Sequence, residues 1–206
     1  MRDVESVFRW HFEKRNWTRS RQSVSGLGST AAATDHLREE LPRLLAEFKV
    51  RSMLDIPCGD GNWISRANLE LDEYIGADIV EELVQLNRKR HETAAGAKFL
   101  RLDVIRDELP RVDLIFCRDC LVHFSNEFIG KALKNIRRSG SMYLATTTFP
   151  GHDANRDIIT GDWRPINLQR APFHLPAPVR MIAEHSAGPP FEDKSIGVWR
   201  IEQLTG

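Results

Sequence analysis

Residues 54–63 read LDIPCGDGNW. A short apolar run closes on Asp55, and two glycines, Gly59 and Gly61, follow one residue apart. Glycine lets the chain bend tightly and lets a ligand press on bare backbone. In open α/β sheets the turn after the first strand lies at the carboxyl ends of the strands, where ligands enter. The turn does not read as a phosphate cradle. G-x-G-x-x-G would need a glycine where Ile64 stands, and the chain holds no G-K-S/T to grip a triphosphate.

Outward from this turn two periods alternate. Residues 52–56, 73–79, 97–104, 112–119 and 141–149 are short runs of strand-forming residues, and the segments between them have helical spacing. The clearest helix is NEFIGKALKNIRRSG, in which Phe128, Ile129, Ala132, Leu133 and Ile136 share one face. Ser125 stands where a cap belongs, and Gly140 follows the basic end. EELVQLNRKRHE begins with acids and carries Arg88, Lys89 and Arg90 toward its end, the polarity that a helix dipole favours. Strand and helix in alternation predict βαβ units and a doubly wound, mostly parallel α/β sheet.

The alternation stops after Phe149. Residues 150–178 carry five of the ten prolines and no sustained period, as expected of a functional loop or lid. Residues 179–185 and 194–204 then read as two strands of a closing antiparallel hairpin. Residues 30–48 read as a helix with Leu37, Leu41, Leu44, Leu45 and Phe48 on one side, and Pro42 predicts a break or kink near Glu40 or Leu41. SVSGLGST ahead of it reads as a loop or linker.

Composition narrows the function classes. Lys+Arg and Asp+Glu number 29 each, so no global field draws the chain to nucleic acid or anionic lipid. No apolar run approaches the roughly 20 residues of a membrane span, and the first residues lack a signal-peptide core, so a cytoplasmic location is expected. Cys58, Cys117 and Cys120 are an odd number, which argues against a disulfide framework. Cys117 and Cys120 form a lone C-x-x-C without suitably spaced histidines, so a zinc site is not expected.

Three aspartates give the turn its chemistry. Asp78 ends the next strand, where an acid accepts hydrogen bonds from ribose hydroxyls. Asp103 ends the third strand, placed for an exocyclic amino group of a base. Each acid alone is as readily a cap of the helix after its strand. Three at successive strand ends, beside a glycine turn with no phosphate cradle, predict a nucleoside without a pyrophosphate.

These residues resemble the class I S-adenosylmethionine-dependent methyltransferases. LDIPCGDG resembles the family's first motif, D-x-G-x-G-x-G, with Asp55, Gly59 and Gly61 in matching places. Asp78 matches the ribose-binding acid, LDV with Asp103 the adenine-side motif, and FCRDCLVHFS the fourth-strand segment facing the transferred methyl. The resemblance spans roughly residues 50–205. It implies a Rossmann-like, seven-stranded sheet and S-adenosyl-L-methionine as cofactor, held by Asp55, Pro57, Cys58, Gly59, Gly61, Asp78, Ile79, Asp103, Val104 and Arg118. Pro57 departs from the pattern, standing where the family has its first glycine. It has no N–H to offer, so Ser29 and Thr30 from the preceding GST are expected to help hold the methionine end. Residues 1–49 are expected to form a helical cap, and 50–206 the methyltransferase domain with its lid at 150–178.

Methyl transfer from a sulfonium to a hydroxyl needs alignment, exclusion of water and removal of one proton. The candidate bases are Asp119 and His123, which face one way if a helical turn begins there, and His152 of the lid. Asp162, Trp163, Arg164 and Asn167 are candidates for binding a hydroxyl-rich, sugar-like acceptor. Each has a plain structural alternative: His123 packed under the lid against a carbonyl, Asp119 paired with Arg118, the lid groups satisfying backbone. Asp119, His152 and Asp153 match no compact metal motif, and no metal is expected. The N-terminal FRWHFEKRNWTRSR interleaves basic residues with Trp10, His11, Phe12 and Trp17, a composition suited to single-stranded nucleic acid, though an amphipathic helix over the pocket is the simpler reading. The expectation is O-methylation of a small-molecule acceptor, with a nucleic-acid methyltransferase and a non-catalytic cofactor-binding module as alternatives.

Overall fold

The computed structural model describes residues 3–14, 16, 23–91, 96–185 and 191–204. Arg15, Trp17, Arg19 and Arg21 of the basic aromatic stretch lie outside them, as does part of the turn of the C-terminal hairpin. Seven strands form one sheet in the order β3-β2-β1-β4-β5-β7-β6. The chain divides into two compact units, residues 1–103 and 104–206.

The first unit holds α1 (Val4–Glu13), α2 (Asp35–Glu47), β1 (Ser52–Asp55), β2 (Glu73–Asp78), α3 (Glu81–Arg90) and β3 (Ala97–Arg101). Its three strands pair in parallel, with Asp55 opposite Gly76 and Asp78 opposite Arg101. α1 starts under a side-chain cap from Asp3 to the Ser6 N–H. α2 runs unbroken through Pro42, against the expected break. Leu37, Leu41, Leu44 and Leu45 are all buried around it, and burial of about 1.5–3 kcal/mol per leucine offsets one missing backbone hydrogen bond. No α-helix follows the glycine turn either. Residues 64–66 form a single 3-10 turn, because only Trp63, Ile64 and Ala67 there are buried apolar residues. β3 ends two residues before Asp103, short of the expected strand.

The second unit holds β4 (Leu114–Cys117), α4 (Asn126–Arg138), β5 (Tyr143–Thr148), β6 (Arg180–Ala183) and β7 (Ser195–Arg200). β4 and β5 pair in parallel, and β7 lies antiparallel between β5 and β6, so the expected hairpin closes the sheet. Every residue of β4 and β5 is buried, which suits central strands covered on both faces. α4 carries the predicted cap, the Phe128 N–H donating to Ser125 Oγ at 3.4 Å, and buries Ile129, Ala132, Leu133 and Ile136. Residues 150–178 contain no helix or strand, only an isolated bridge between Thr160 and Asp162.

Candidate functional site

In the first unit the glycine turn is built by two left-handed glycines and by long-range hydrogen bonds. Gly59 and Gly61 have φ of +57° and +63°, the left-handed region that glycine enters without penalty. The Asp78 carboxylate, 4% exposed, accepts the Gly59 N–H at 3.0 Å and the Val80 N–H at 3.0 Å. Burial raises its pKa to about 6, with the N–H groups of Val80, Gly59 and Ile79 pulling the other way. Asp55 accepts the Tyr74 hydroxyl at 2.7 Å. The Cys58 thiol is pushed well up, first by burial and then by the charges of Asp78 and Asp55, so it stays protonated and unreactive near neutrality. Asp103 is 5% exposed, and Ile79 lies beside the Asp78 cluster.

The hydroxyls over this turn are not the expected pair. Thr30 donates to the Leu27 carbonyl and accepts the Ala33 N–H, closing its own local turn. Ser29 meets the turn only through its carbonyl, which accepts from Asn62. Ser23 and Ser25 occupy that place instead: Ser23 Oγ donates to Asp60 at 3.0 Å, and Ser25 Oγ accepts the Asp60 N–H at 2.8 Å. Asn87 of α3 donates to the Gly59 carbonyl at 2.7 Å, while its own buried oxygen has no hydrogen-bond partner. Ser23, Ser25, Asp60 and Asn87 escape sequence reading. Only the acid inside CGDGN hinted at them, since its partners lie 35 to 37 residues away.

In the second unit four charged groups converge at the ends of β4, β6 and β7. Arg118 Nη2 meets Glu184 at 2.5 Å and Arg118 Nη1 meets Asp119 at 3.2 Å; Lys194 lies 2.7 Å from Asp119 and 3.4 Å from Glu184. Arg118 is thus engaged by two carboxylates. Burial alone would raise the Asp119 carboxyl, but Lys194 and Arg118 outweigh it and hold the group well below the usual carboxylate range. Asp119 itself sits at φ +53°, and its N–H donates to Thr147 at 2.8 Å.

His123 ends a 3-10 turn, Leu121–His123, and its Nδ1 lies 2.8 Å from the Asp162 carbonyl. A carbonyl only accepts, so Nδ1 carries a proton. Trp163 stands between Phe149 and Phe191, with centroids 6.0 and 5.1 Å away. His152 packs edge-on against Phe149, 3.8 Å from Asp193, and borders a depression of about 250 Å³ with Ala154, Asn155, Arg156 and Pro165. Arg164, fully buried, spends its guanidinium on the carbonyls of Arg156 and Leu121 and on Asn126. Burial pulls its pKa down to about 10. Asn167 likewise donates to the Pro150 and His152 carbonyls, so these two side chains hold the loop's own backbone. Val104 is buried, its carbonyl accepting from Asn135.

Residues 53–140 match the family model described as a methyltransferase domain. The match marks residues 53–140 as methyltransferase-like. The chain's fold is similar to that of magnesium protoporphyrin IX methyltransferase (ChlM) from Synechocystis PCC 6803 with bound SAM, with a TM-score of 0.62 at 14% identity over 97% of this chain and 98% of that one. It is similar to the N-methyltransferase NodS from Bradyrhizobium japonicum WM9 in complex with S-adenosyl-L-homocysteine, with a TM-score of 0.60 at 14% identity over 82% and 87%. The methyltransferase domain of a bacterial CtHen1-C gives a TM-score of 0.61 at 12% identity over 81% and 97%. At such identities the likeness is one of fold. No curated protein matches the chain by sequence. Among the described residues of the chain, no helix is long and apolar enough to cross a membrane, and no group of three His, Cys, Asp or Glu side chains is arranged to hold a metal ion.

Proposed function

We propose that this chain is an S-adenosylmethionine-dependent methyltransferase that acts on a hydroxyl of a small, polar, sugar-like acceptor, with His123 taking the proton. The observation that carries the reading is the contact of His123 Nδ1 with the Asp162 carbonyl at 2.8 Å. In a neutral imidazole held this way the basic nitrogen is Nε2, and a neutral imidazole accepts a proton near neutral pH. Asp119 is assigned an orienting role, because a carboxylate held ionised by Lys194 and Arg118 is a poor proton acceptor but a good hydrogen-bond acceptor. Trp163 and the depression beside His152 supply an aromatic face and polar groups suited to a hydroxylated ring.

S-adenosylmethionine supplies an electrophilic methyl group on a positively charged sulfur. The first unit fits its nucleoside end in two respects. A carboxylate has about four acceptor sites, and at Asp78 the N–H groups of Gly59, Ile79 and Val80 take three, which leaves one for a ribose hydroxyl. At Gly59 a side chain would collide with Ser25, so the bare backbone is structurally required there. Asp55, Cys58, Gly61, Ile79 and Asp103 are proposed to complete that site, and residues 23–30 to close over it. We propose a cytoplasmic location, which three buried free thiols suit.

Release of S-adenosylhomocysteine, followed across panels of sugars, phenols, amines and RNA oligonucleotides, tests the acceptor. Turnover confined to hydroxylated small molecules is the expected result. Turnover confined to amines or to RNA would overturn it.

A further inference from the structure

The backbone N–H groups of the glycine turn are already used inside the protein. Cys58 donates to the Ala77 carbonyl at 2.7 Å, Gly59 to Asp78 at 3.0 Å, Asp60 to Ser25 Oγ at 2.8 Å, Gly61 to the Cys58 carbonyl at 3.2 Å and Asn62 to Asp60 at 3.3 Å. Pro57 has none. A turn that spends its amides in this way has no backbone donor ready for an anion, yet the methionine end of the cofactor carries a carboxylate.

We propose that the hydroxyl of Ser25 supplies the missing donor, and that Asp60 is the positioning residue that holds it there. Ser25 Oγ accepts the Asp60 N–H, so its own proton is left to donate outward. The hydroxyl stands directly over Gly59: a Cβ at that position would lie 2.4 Å from Ser25 Oγ. Residue 59 is therefore glycine for Ser25 as much as for the bend.

Ser25 is fixed from behind by a closed set of bonds. Its N–H donates to Ser23 Oγ at 3.0 Å, Ser23 Oγ donates to one oxygen of Asp60 at 3.0 Å, and the Val24 N–H donates to the other at 2.9 Å. Ser23 and Asp60 are each 3% exposed, so the set is shielded from competing water. Arg90 adds a positive charge beside it by donating to the Asp60 carbonyl at 3.0 Å, a favourable field for a carboxylate.

This inference rests on the S-adenosylmethionine reading, and the test separates the two. Calorimetry of the full chain compares S-adenosylhomocysteine, which has the amino-acid end, with 5′-methylthioadenosine, which lacks it. A hydrogen bond to a charged group accounts for about tenfold in affinity. Ser25→Ala is expected to weaken S-adenosylhomocysteine by about that factor and to leave methylthioadenosine within about twofold. Ser25→Cys, similar in shape with a weaker donor, is expected to fall between, and covers the case in which Ser25→Ala does not fold. Equal loss for both ligands, no loss, or tighter binding of S-adenosylhomocysteine overturns the role of Ser25. Wild-type protein that binds neither ligand overturns the cofactor site and this inference together.

Discussion

Lys194 Nζ lies 2.7 Å from Asp119 Oδ2, joining the start of β7 to the end of β4 across 75 residues of sequence. With Arg118 and Glu184 it closes a cluster of two positive and two negative side chains, of which only Asp119 keeps appreciable exposure, at 30%. Lys194→Met leaves this cluster with an excess negative charge. Removing one partner of a buried pair costs about 3–5 kcal/mol, to be read from urea unfolding at pH 7. The Asp119 carboxyl loses the ammonium that lowers it, so its ¹³C NMR titration moves to higher pH. A variant as stable as wild type, with Asp119 unmoved, would show the bridge to be inconsequential.

Asp78→Ala removes the acceptor of the Gly59 and Val80 N–H groups and the proposed ribose contact together. S-adenosylhomocysteine affinity falls by at least about tenfold, since hydrogen bonds to a charged group contribute about 1.5–3 kcal/mol each. Equal affinity in variant and wild type, measured by calorimetry, would refute the ribose assignment.

The same carboxyl predicts a pH dependence. Its folded pKa is raised to about 6, so it ionises above pH 6 and is protonated below. If ribose binds the ionised form, S-adenosylhomocysteine binds about tenfold more weakly at pH 5 than at pH 7. For folding the sign is opposite to that of a salt-bridged acid: ionised Asp78 costs stability above pH 6, and the cost is relieved as the pH falls from 6 toward the unfolded value of 3.8. A binding curve flat from pH 5 to 7 contradicts the assignment.

His123→Ala removes the proposed base. Turnover drops by about 10²–10⁴-fold, while S-adenosylhomocysteine affinity, read by calorimetry, stays within about twofold. Unchanged turnover excludes His123 as the base.

Gly59→Ala places a methyl group 2.4 Å from Ser25 Oγ at a residue with φ of +57°. The left-handed conformation alone costs about 1–2 kcal/mol. A lower melting temperature and loss of S-adenosylhomocysteine binding are expected together.

Much of the fold was legible because its signals are local. The strand runs at 52–56 and 112–119 hold their apolar residues in short stretches, and α4 shows its buried face, cap and basic end in consecutive residues. Where a local rule met packing, packing prevailed: Pro42 does not end α2, because four buried leucines surround it. The helix expected after Gly61 shrank to one turn, since glycines announce a bend but not the length of the element beyond it. At the site, His123 was visible as a residue type, but its protonated nitrogen is set by the Asp162 carbonyl 39 residues away.

Neighbouring residues alone encode the alternation of strand and helix, the bend at Gly59 and Gly61, and the acids at the strand ends, because each depends on positions a few residues apart. Folding in three dimensions was needed to select Ser23 and Ser25, rather than Ser29 and Thr30, as the side chains that meet the turn at Asp60, and to set Lys194 and Glu184 against Arg118 and Asp119. The serine contacts and the Lys194 bridge to Asp119 join side chains 35 to 75 residues apart. A hydrogen bond or ion pair depends on distance in space, which no run of consecutive residues encodes.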